Sequence, residues 1–267
     1  MRAVEIREVR KASGWKGFSQ DALVPTGTVL IGVAAIVIWA LMAASPIGFV
    51  VASPWKAVQI LVGGLVGPDP AILPHAISTF SSAMIGFGLA IAVGLAWGVF
   101  LGISWYWRSV WEPILLSTYS IPKIILFPIF LFILGIGLWA QVAMSFIHAV
   151  FPIIINVMAG IKEVNPTHVK VGQSFQASPL QRITKIYFPS IALSLVVGLR
   201  MGFSFSILGV ILSELFASRE GLGRLIMRRY AVMDINTMFA AILLLFIVAF
   251  AGNLLFWILE KKLRGVR

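Results

Sequence analysis

Four ionisable side chains, Lys123, His148, Arg200 and Glu214, sit within or at the ends of long apolar stretches of this 267-residue chain. A charge at membrane depth costs roughly 2.5–3.5 kcal/mol on insertion scales, so each must find a partner, water or a task. Arg200 lies near the middle of its run and shares a helical face with Ser204 and, more loosely, Glu214. Glu214 is too far along to pair with it on one unbroken helix. Arg200 therefore either joins helices or lines an aqueous path. His148, preceded within two turns by Gln141 and Ser145, is either an interhelical hydrogen-bonding residue or a ligand contact. Lys123 follows Pro122 and either snorkels from a bent helix or makes a contact that moves with a gate. These five, Lys123, His148, Arg200, Ser204 and Glu214, are the pathway or gating candidates.

The same inventory argues against catalysis. The three histidines, His75, His148 and His168, are not at metal-ligand spacing. A phosphate loop of the G-x-x-x-x-G-K-[ST] form is absent, so no nucleotide hydrolysis by this chain is expected. With no cysteine there is no disulfide and no thiolate nucleophile. No catalytic residue, metal or cofactor is expected on this chain itself.

A second kind of chemistry, docking, is concentrated between Asn165 and Pro189. This polar island carries Lys170, Arg182 and Lys185, with Lys162 just upstream, and it is flanked by apolar segments. Asn165-Pro166 and Ser178-Pro179 each place a capping side chain before proline at the first helical position. A short helix held on a basic loop between membrane spans is a surface on which another protein pushes.

The elements that position these residues are membrane helices. The chain is 60% hydrophobic, has 21 Lys and Arg against 10 Asp and Glu, and its mean hydropathy is +0.98. That is far beyond a soluble domain. Charge-free runs and the Gly135-Ile136-Gly137 break predict six helices, at about 28–46, 76–103, 113–134, 138–160, 189–213 and 235–259. The predicted connection at 161–188 carries the docking helix, and polar tails are expected at 1–26 and 261–267. Alternating ten-residue segments, as a β-barrel needs, are not seen. Basic residues cluster in the N-terminal tail, at Arg108, in 161–188 and after Leu259, which puts both termini and the docking loop in the cytoplasm. The Arg219–Arg229 cluster is the one exception. The net charge of +11 thus reflects topology, and nucleic acid is not an expected partner. In the second span Ser82, Gly86, Ala90, Gly94, Gly98 and Gly102 recur every four residues, a stripe for close helix packing within the bundle or at a dimer interface.

Several ordered motifs resemble the permease subunit of bacterial ABC importers, in the nitrate/sulfonate/taurine branch that also includes importers of thiamine precursors. They are the small-residue span His75–Ser104, the segment YSIPKIILFPIFLFILGIG from Tyr119 to Gly137, Gly198-Leu199-Arg200, Glu214 and Gly221-Leu222-Gly223. Leu134 stands where phenylalanine is usual. In the loop, the family pattern E-A-A-x-x-x-G-A-S aligns with Lys170, Val171, Gly172, then Gln176, Ala177 and Ser178. Lys170 replaces the acid, Gly172 an alanine and Gln176 the glycine; Ala177-Ser178 and Pro189 are kept. The resemblance implies a type I importer fold and an ATPase-coupling loop comprising Asn165, Pro166, Lys170, Val171, Gly172, Ser174, Gln176, Ala177 and Ser178. It implies as partners two cytoplasmic ATP-binding subunits, which would hold ATP and Mg, and a periplasmic or lipid-anchored binding protein. A second permease copy, as a homodimer, and the lipids of the bacterial inner membrane complete the set. An ion-coupled secondary transporter or channel would keep more carboxylates or histidines at depth and show inverted repeats. A membrane enzyme would need convergent polar residues at one face.

Overall fold

The computed structural model describes residues 20–67 and 72–264. The predicted tails fall partly outside that range, at 1–19 and 265–267. Within it, residues 20–26 belong to the first helix and 261–264 to the last. Among the described residues every regular element is helical. The chain divides into two compact units, 1–55 and 56–267.

In the first unit, α1 (Gln20–Ala44) is followed by a 3-10 turn, Pro46–Phe49. Ser45 donates to the Met42 carbonyl at 2.7 Å, and the Trp39 indole donates to the Ala52 carbonyl at 2.9 Å, folding the exit back on the helix.

The predicted spans at 28–46 and 76–103 leave an interval that the structure does not leave as a plain connection. It forms α2 (Pro54–Val66), and the stretch Pro46–Val66 is long and apolar enough to cross a membrane, whereas the apolar part of α1, Val29–Ala44, is shorter. Charge-free runs end at Lys56, which hid this helix; a lysine in a first turn can extend its ammonium to the interface.

The second unit is built on α3 (Leu73–Ile103), α6 (Leu138–Lys162), α9 (Phe188–Phe216) and α11 (Ile235–Arg264). α6 is the centre, packed on α3 along one side and α9 along the other. The glycine stripe explains the first contact. A Cβ on Gly94 would stand 2.7 Å from Ile153, on Gly98 2.9 Å from Val157, and on Gly102 2.8 Å from Ile161. Gly86 meets Ser145 in the same way, and Ser82 donates to the Gln141 side chain. Each pair is 59 residues apart, so α3 and α6 run parallel. The stripe therefore packs inside the subunit. α6 and α9 run antiparallel, with Gly160 against Ser194, Gly198 against Asn156 and Gly209 against Met144.

The predicted third span, 113–134, is broken. α4 (Trp105–Ser120) stops before Ile121-Pro122, a 3-10 turn covers Lys123–Leu126, and α5 (Phe127–Leu134) leaves at 84° to α4. Pro122 cannot supply the amide that the next turn needs, and it forces Ile121 to be extended. Gly135 (φ 73) and Gly137 (φ 154) then turn the chain into α6. Among the described residues, five helices are long and apolar enough to cross a membrane, or six if the bent pair is one span.

Three short elements cap the bundle. α7 (Pro166–Ser174) and α8 (Pro179–Arg182) form the polar island, joined to α9 by a π-helical turn, Ile183–Tyr187. α10 (Leu222–Ala231) lies between α9 and α11, with Leu222 and Leu225 buried beside Leu61, Ile72 and Ala76.

Candidate functional site

The docking loop folds as its caps predict. Asn165 Oδ1 accepts from the Thr167 amide at 2.9 Å, and Pro166 opens α7. Ser178 and Gln181 form a reciprocal capping box at the start of α8, with bonds of 3.3 and 2.8 Å. Between them the chain reverses at Gln176, whose φ is 53, and Ala177 donates back to the Gly172 carbonyl at 2.9 Å. This left-handed position after a helix is where glycine is favoured, and glycine is what the permease pattern has there.

Gly172 is the one buried residue of α7. The Ile186 side chain occupies the place its Cβ would take, so the loss of the usual alanine methyl is filled from the π-helical turn. Lys170 and Ser174 are exposed on α7, with Ser174 donating to the Lys170 carbonyl at 3.1 Å. Beside them stand apolar side chains that charge and motif reading missed. Phe175 is 82% exposed, Leu180 69% and Val171 48%. The exposed phenylalanine in a polar loop was the available signal. Behind α7 a cavity of about 760 Å³ opens between the ends of α6 and α9, lined by Glu163, His168, Lys185 and Ser194 among others.

The membrane-depth candidates separate into four places. Arg200 is half-buried and its Nη1 lies 2.9 Å from Oε2 of the buried Glu260, on α11. One turn further, Ser204 and Asn253 exchange hydrogen bonds of 3.0 and 3.3 Å. Arg200 thus joins α9 to α11. Sequence reading placed Glu260 just outside its span and did not consider it as the partner.

His148 is not part of that cluster. It packs against Gly209 of α9, nine residues beyond Arg200 and so half a turn around the helix. Its Nδ1 donates to the Met144 carbonyl at 2.8 Å, a bond within its own helix and not the interhelical one considered above. Lys123 sits at the helix break, donating to the Tyr119 carbonyl at 2.9 Å, with its ammonium 4.7 Å from the Tyr119 ring and 5.2 Å from that of Phe151. It satisfies a carbonyl that the proline break leaves open.

Glu214 is at the far end of α9, 1% exposed. Thr79 donates to both carboxylate oxygens at 2.9 Å, and the Gly223 amide to one at 2.8 Å. Leu222 donates its amide to Thr79 Oγ1 at 2.8 Å, and Gly221 donates to His75 Nδ1 at 3.1 Å. The Gly-Leu-Gly pattern follows from this latch. A Cβ on Gly221 would overlap the Glu214 carboxylate, and one on Gly223 would lie 2.7 Å from Glu214 Cβ. Beside it, Gln141 donates to Ser218 at 2.7 Å while accepting from Ser82 at 2.6 Å. Deeper, Ser206 donates to the Ala83 carbonyl at 2.8 Å and lies 2.8 Å from Ser145. α3, α6, α9 and α10 are thereby tied by polar groups whose partners are all protein.

Comparison with known proteins gives this arrangement a family. The chain is 29% identical over 240 residues to the formylaminopyrimidine transport permease protein ThiX of Halalkalibacterium halodurans, covering 88% of this chain and 92% of that protein. It is 27% identical over 262 residues to the putative aliphatic sulfonates transport permease protein SsuC of Bacillus subtilis, covering 98% and 91%. A solved inward-facing structure of the MetNI methionine ABC transporter shares the fold, with a TM-score of 0.62 at 22% identity over 75% of this chain and 98% of that one. The match to the family spans residues 90–265, which takes in Gly94, Gly98 and Gly102 of the stripe, the polar island, the Arg200–Glu260 pair, and Glu214 with Gly221 and Gly223. The chain belongs to the binding-protein-dependent transport system inner membrane components.

Proposed function

We propose that this permease subunit imports a small polar solute across the bacterial inner membrane, working as one half of a homodimer. Two separate ATP-binding subunits would power it, holding ATP and Mg, and a periplasmic or lipid-anchored binding protein would deliver the solute. Relatives are named for formylaminopyrimidine and aliphatic sulfonates, so the solute class is that of thiamine precursors or sulfonate-like and nitrate-like anions. The observation that carries the reading is α7. It is a capped helix on the loop 161–188, and the exposed apolar side chains of Val171 on α7, Phe175 at its end and Leu180 on α8 lie among polar residues. Such exposure is costly in water and matches the core of a protein interface.

The crossing count has a geometric argument. Because α3 and α6 run parallel, residues 104–137 must return across the membrane between them. This supports taking α4 and α5 as one broken span. With one crossing ahead of α3, six spans put the N-terminal tail, the docking loop and the basic C-terminal tail on one side, as the distribution of Lys and Arg requires.

ATP binding moves such a machine only if it favours one arrangement of the spans over the other. α7 is joined to α9 through α8 and the π-helical turn, so a push on α7 is delivered to the helix carrying both Arg200 and Glu214. Replacing Val169–Ala177 with a Gly/Ser linker tests this. The expected result is a membrane-inserted protein from which the ATPase no longer copurifies and which no longer imports solute. Normal uptake with that linker would refute the coupling role.

A further inference from the structure

At the end of α3 nearest α7, a groove of about 540 Å³ runs along the membrane-facing surface. Leu95, Val99, Phe100 and Ile103 form one wall, and Ile183 and Phe188 form the other. Ser104 is the one polar side chain among its lining residues. An ordered water needs two to four polar partners, which this wall does not offer. The occupant is apolar.

The end of the groove is basic and aromatic. Arg108 Nη1 donates to the Gly102 carbonyl at 3.2 Å, holding the guanidinium next to Ile103 and Ser104. Arg182, although next to Ile183 in sequence, packs its side chain toward Gly172 of α7 and is not among the groove's lining residues. Arg108 has no carboxylate within ion-pairing distance among the described residues. Trp105 and Tyr106, 73% and 61% exposed, flank Arg108. Trp107 stacks toward Phe100 with ring centroids 6.1 Å apart. Exposed aromatics of this kind mark the headgroup level of a bilayer. The amides that open α4 add a favourable field for an anion.

We infer that this groove seats one acyl chain of an anionic phospholipid, with Arg108 holding its headgroup phosphate. An apolar channel ending in an arginine with no carboxylate partner among the described residues, flanked by exposed aromatics, is complementary to that amphiphile. A bound chain would also fill the space between α3 and the π-helical turn, the joint through which α7 connects to α9. The site requires only insertion in the membrane, so it stands apart from the reading of α7 as the coupling helix.

The test uses the complete complex with its ATPases, extracted in mild detergent and analysed by native mass spectrometry after incubation with phosphatidylglycerol or phosphatidylcholine vesicles. Two variants separate the two parts of the site. Ala96→Trp fills the groove from its exposed side and leaves Arg108 in place; Arg108→Gln leaves the groove and removes its cation. One phosphatidylglycerol should be retained per permease copy, in clear preference to phosphatidylcholine. Arg108→Gln should weaken retention about fivefold, the effect of one basic residue at an anionic surface. Ala96→Trp should abolish it. Equal retention of the two lipids, or retention unaltered by Ala96→Trp, would overturn the site. If neither variant assembles, displacement is read on the wild type with short-chain phosphatidylglycerol, and failure to compete counts against the inference equally. Uptake that persists in Ala96→Trp would leave the permease function intact while reporting on the lipid alone.

Discussion

The seam between α3 and α6 and the seam between α9 and α11 both hold two long apolar helices together, with a different balance of chemistry. The first is steric along most of its length, with hydrogen bonds from Ser82 to Gln141 and from Ser145 to the Ala83 carbonyl at one end. Gly86, Gly94, Gly98 and Gly102 admit the side chains of α6 at distances that leave no room for a methyl group. The second carries more polar contacts. It is closed by Arg200 and Glu260 and by Ser204 and Asn253, together with Phe203, which packs against Gly252 of α11 and lies tilted at 51° to the Phe256 ring. A glycine seam cannot shift by part of a turn without overlapping its knobs. Ion pairs and hydrogen bonds can be exchanged for water or for another partner. The difference predicts a rigid α3–α6 pair and a more readily rearranged α9–α11 seam. α9 is also the helix into which the docking loop feeds.

The largest expected effect breaks the rigid side. Gly98→Leu drives a side chain into Val157 and the Ile154 carbonyl, and overpacking a seam costs about 1–3 kcal/mol or more. The yield of monodisperse protein on size-exclusion chromatography should collapse. Gly88→Leu is the control, because nothing lies within 4 Å of a Cβ there, and it should behave as wild type. If Gly98→Leu is equally well tolerated, the seam is not the rigid element.

On the polar side, function should fail before folding does. Arg200→Ala leaves the carboxylate of Glu260, which is 6% exposed, without its cation. Breaking a buried pair typically costs about 3–5 kcal/mol, and the partial exposure of Arg200 reduces that. Solute uptake should drop at least tenfold while membrane insertion is retained, and Arg200→Lys should restore only part of it, because lysine lacks the planar fork. Arg200→Ala combined with Glu260→Ala should recover thermal stability relative to the single variant. A double variant no more stable than Arg200→Ala would mean the pair is not coupled. Cysteine labelling sharpens the same point on a chain with no native cysteine. Ser204→Cys should react with a water-soluble thiol reagent at a rate that changes when ATP is trapped on the partner. His148→Cys, buried against Gly209 on the other side of α9, should stay protected.

Much of this was legible in the sequence, and the misses have definable causes. The stripe at every fourth residue, the Gly135–Gly137 break and both helix caps are local patterns, and local physics decides them. The partner of Arg200 is a tertiary fact. Glu260 lies 60 residues on, beyond the last turn that hydropathy counts as a span, and only the antiparallel register of α9 and α11 brings it within reach. The break at Pro122 was readable but its 84° angle was not, because a proline removes a bond without fixing where the next helix goes. Val171, Phe175 and Leu180 were missed because their exposure is set by how α7 and α8 pack, which charge and motif patterns do not show.

Glu214 tests the end of α9 that does not reach α11. Its carboxylate accepts from Thr79 and from the Gly223 amide, so it behaves as a fixed fastening to α3 and α10. Glu214→Gln keeps one acceptor oxygen and turns the other into a donor facing groups that also donate. The loss should be about 1–3 kcal/mol, as for other buried hydrogen-bonding groups left unmatched. Thermal unfolding of the purified protein would show it. Gly221→Ala should cost more, since the added methyl meets the same carboxylate at a φ of 115. If Glu214→Gln melts with the wild type while abolishing uptake, the latch opens in transport, and this end of α9 belongs with the moving seam.

The smallest effect lies in the docking loop, and its sign is the informative part. Gln176 holds a φ of 53, a region that costs a side chain about 1 kcal/mol relative to glycine. Gln176→Gly relieves that cost and also frees the unfolded chain, so the two contributions partly cancel. The net should be a small stabilisation, within about 1 kcal/mol, seen as slower amide exchange over α7. Gly172→Ala should go the other way, because the new methyl meets the Ile186 side chain. Gly172→Ala with Ile186→Val removes the Cδ1 that lies closest and should regain most of the loss. If the double variant remains as unstable as Gly172→Ala, the cost comes from the helix itself, and Ile186 is not the group that filled the place of the family's alanine. If it regains stability, the substitution at Gly172 was matched within this chain, and the altered loop still presents Val171, Phe175 and Leu180 in the same register to its partner.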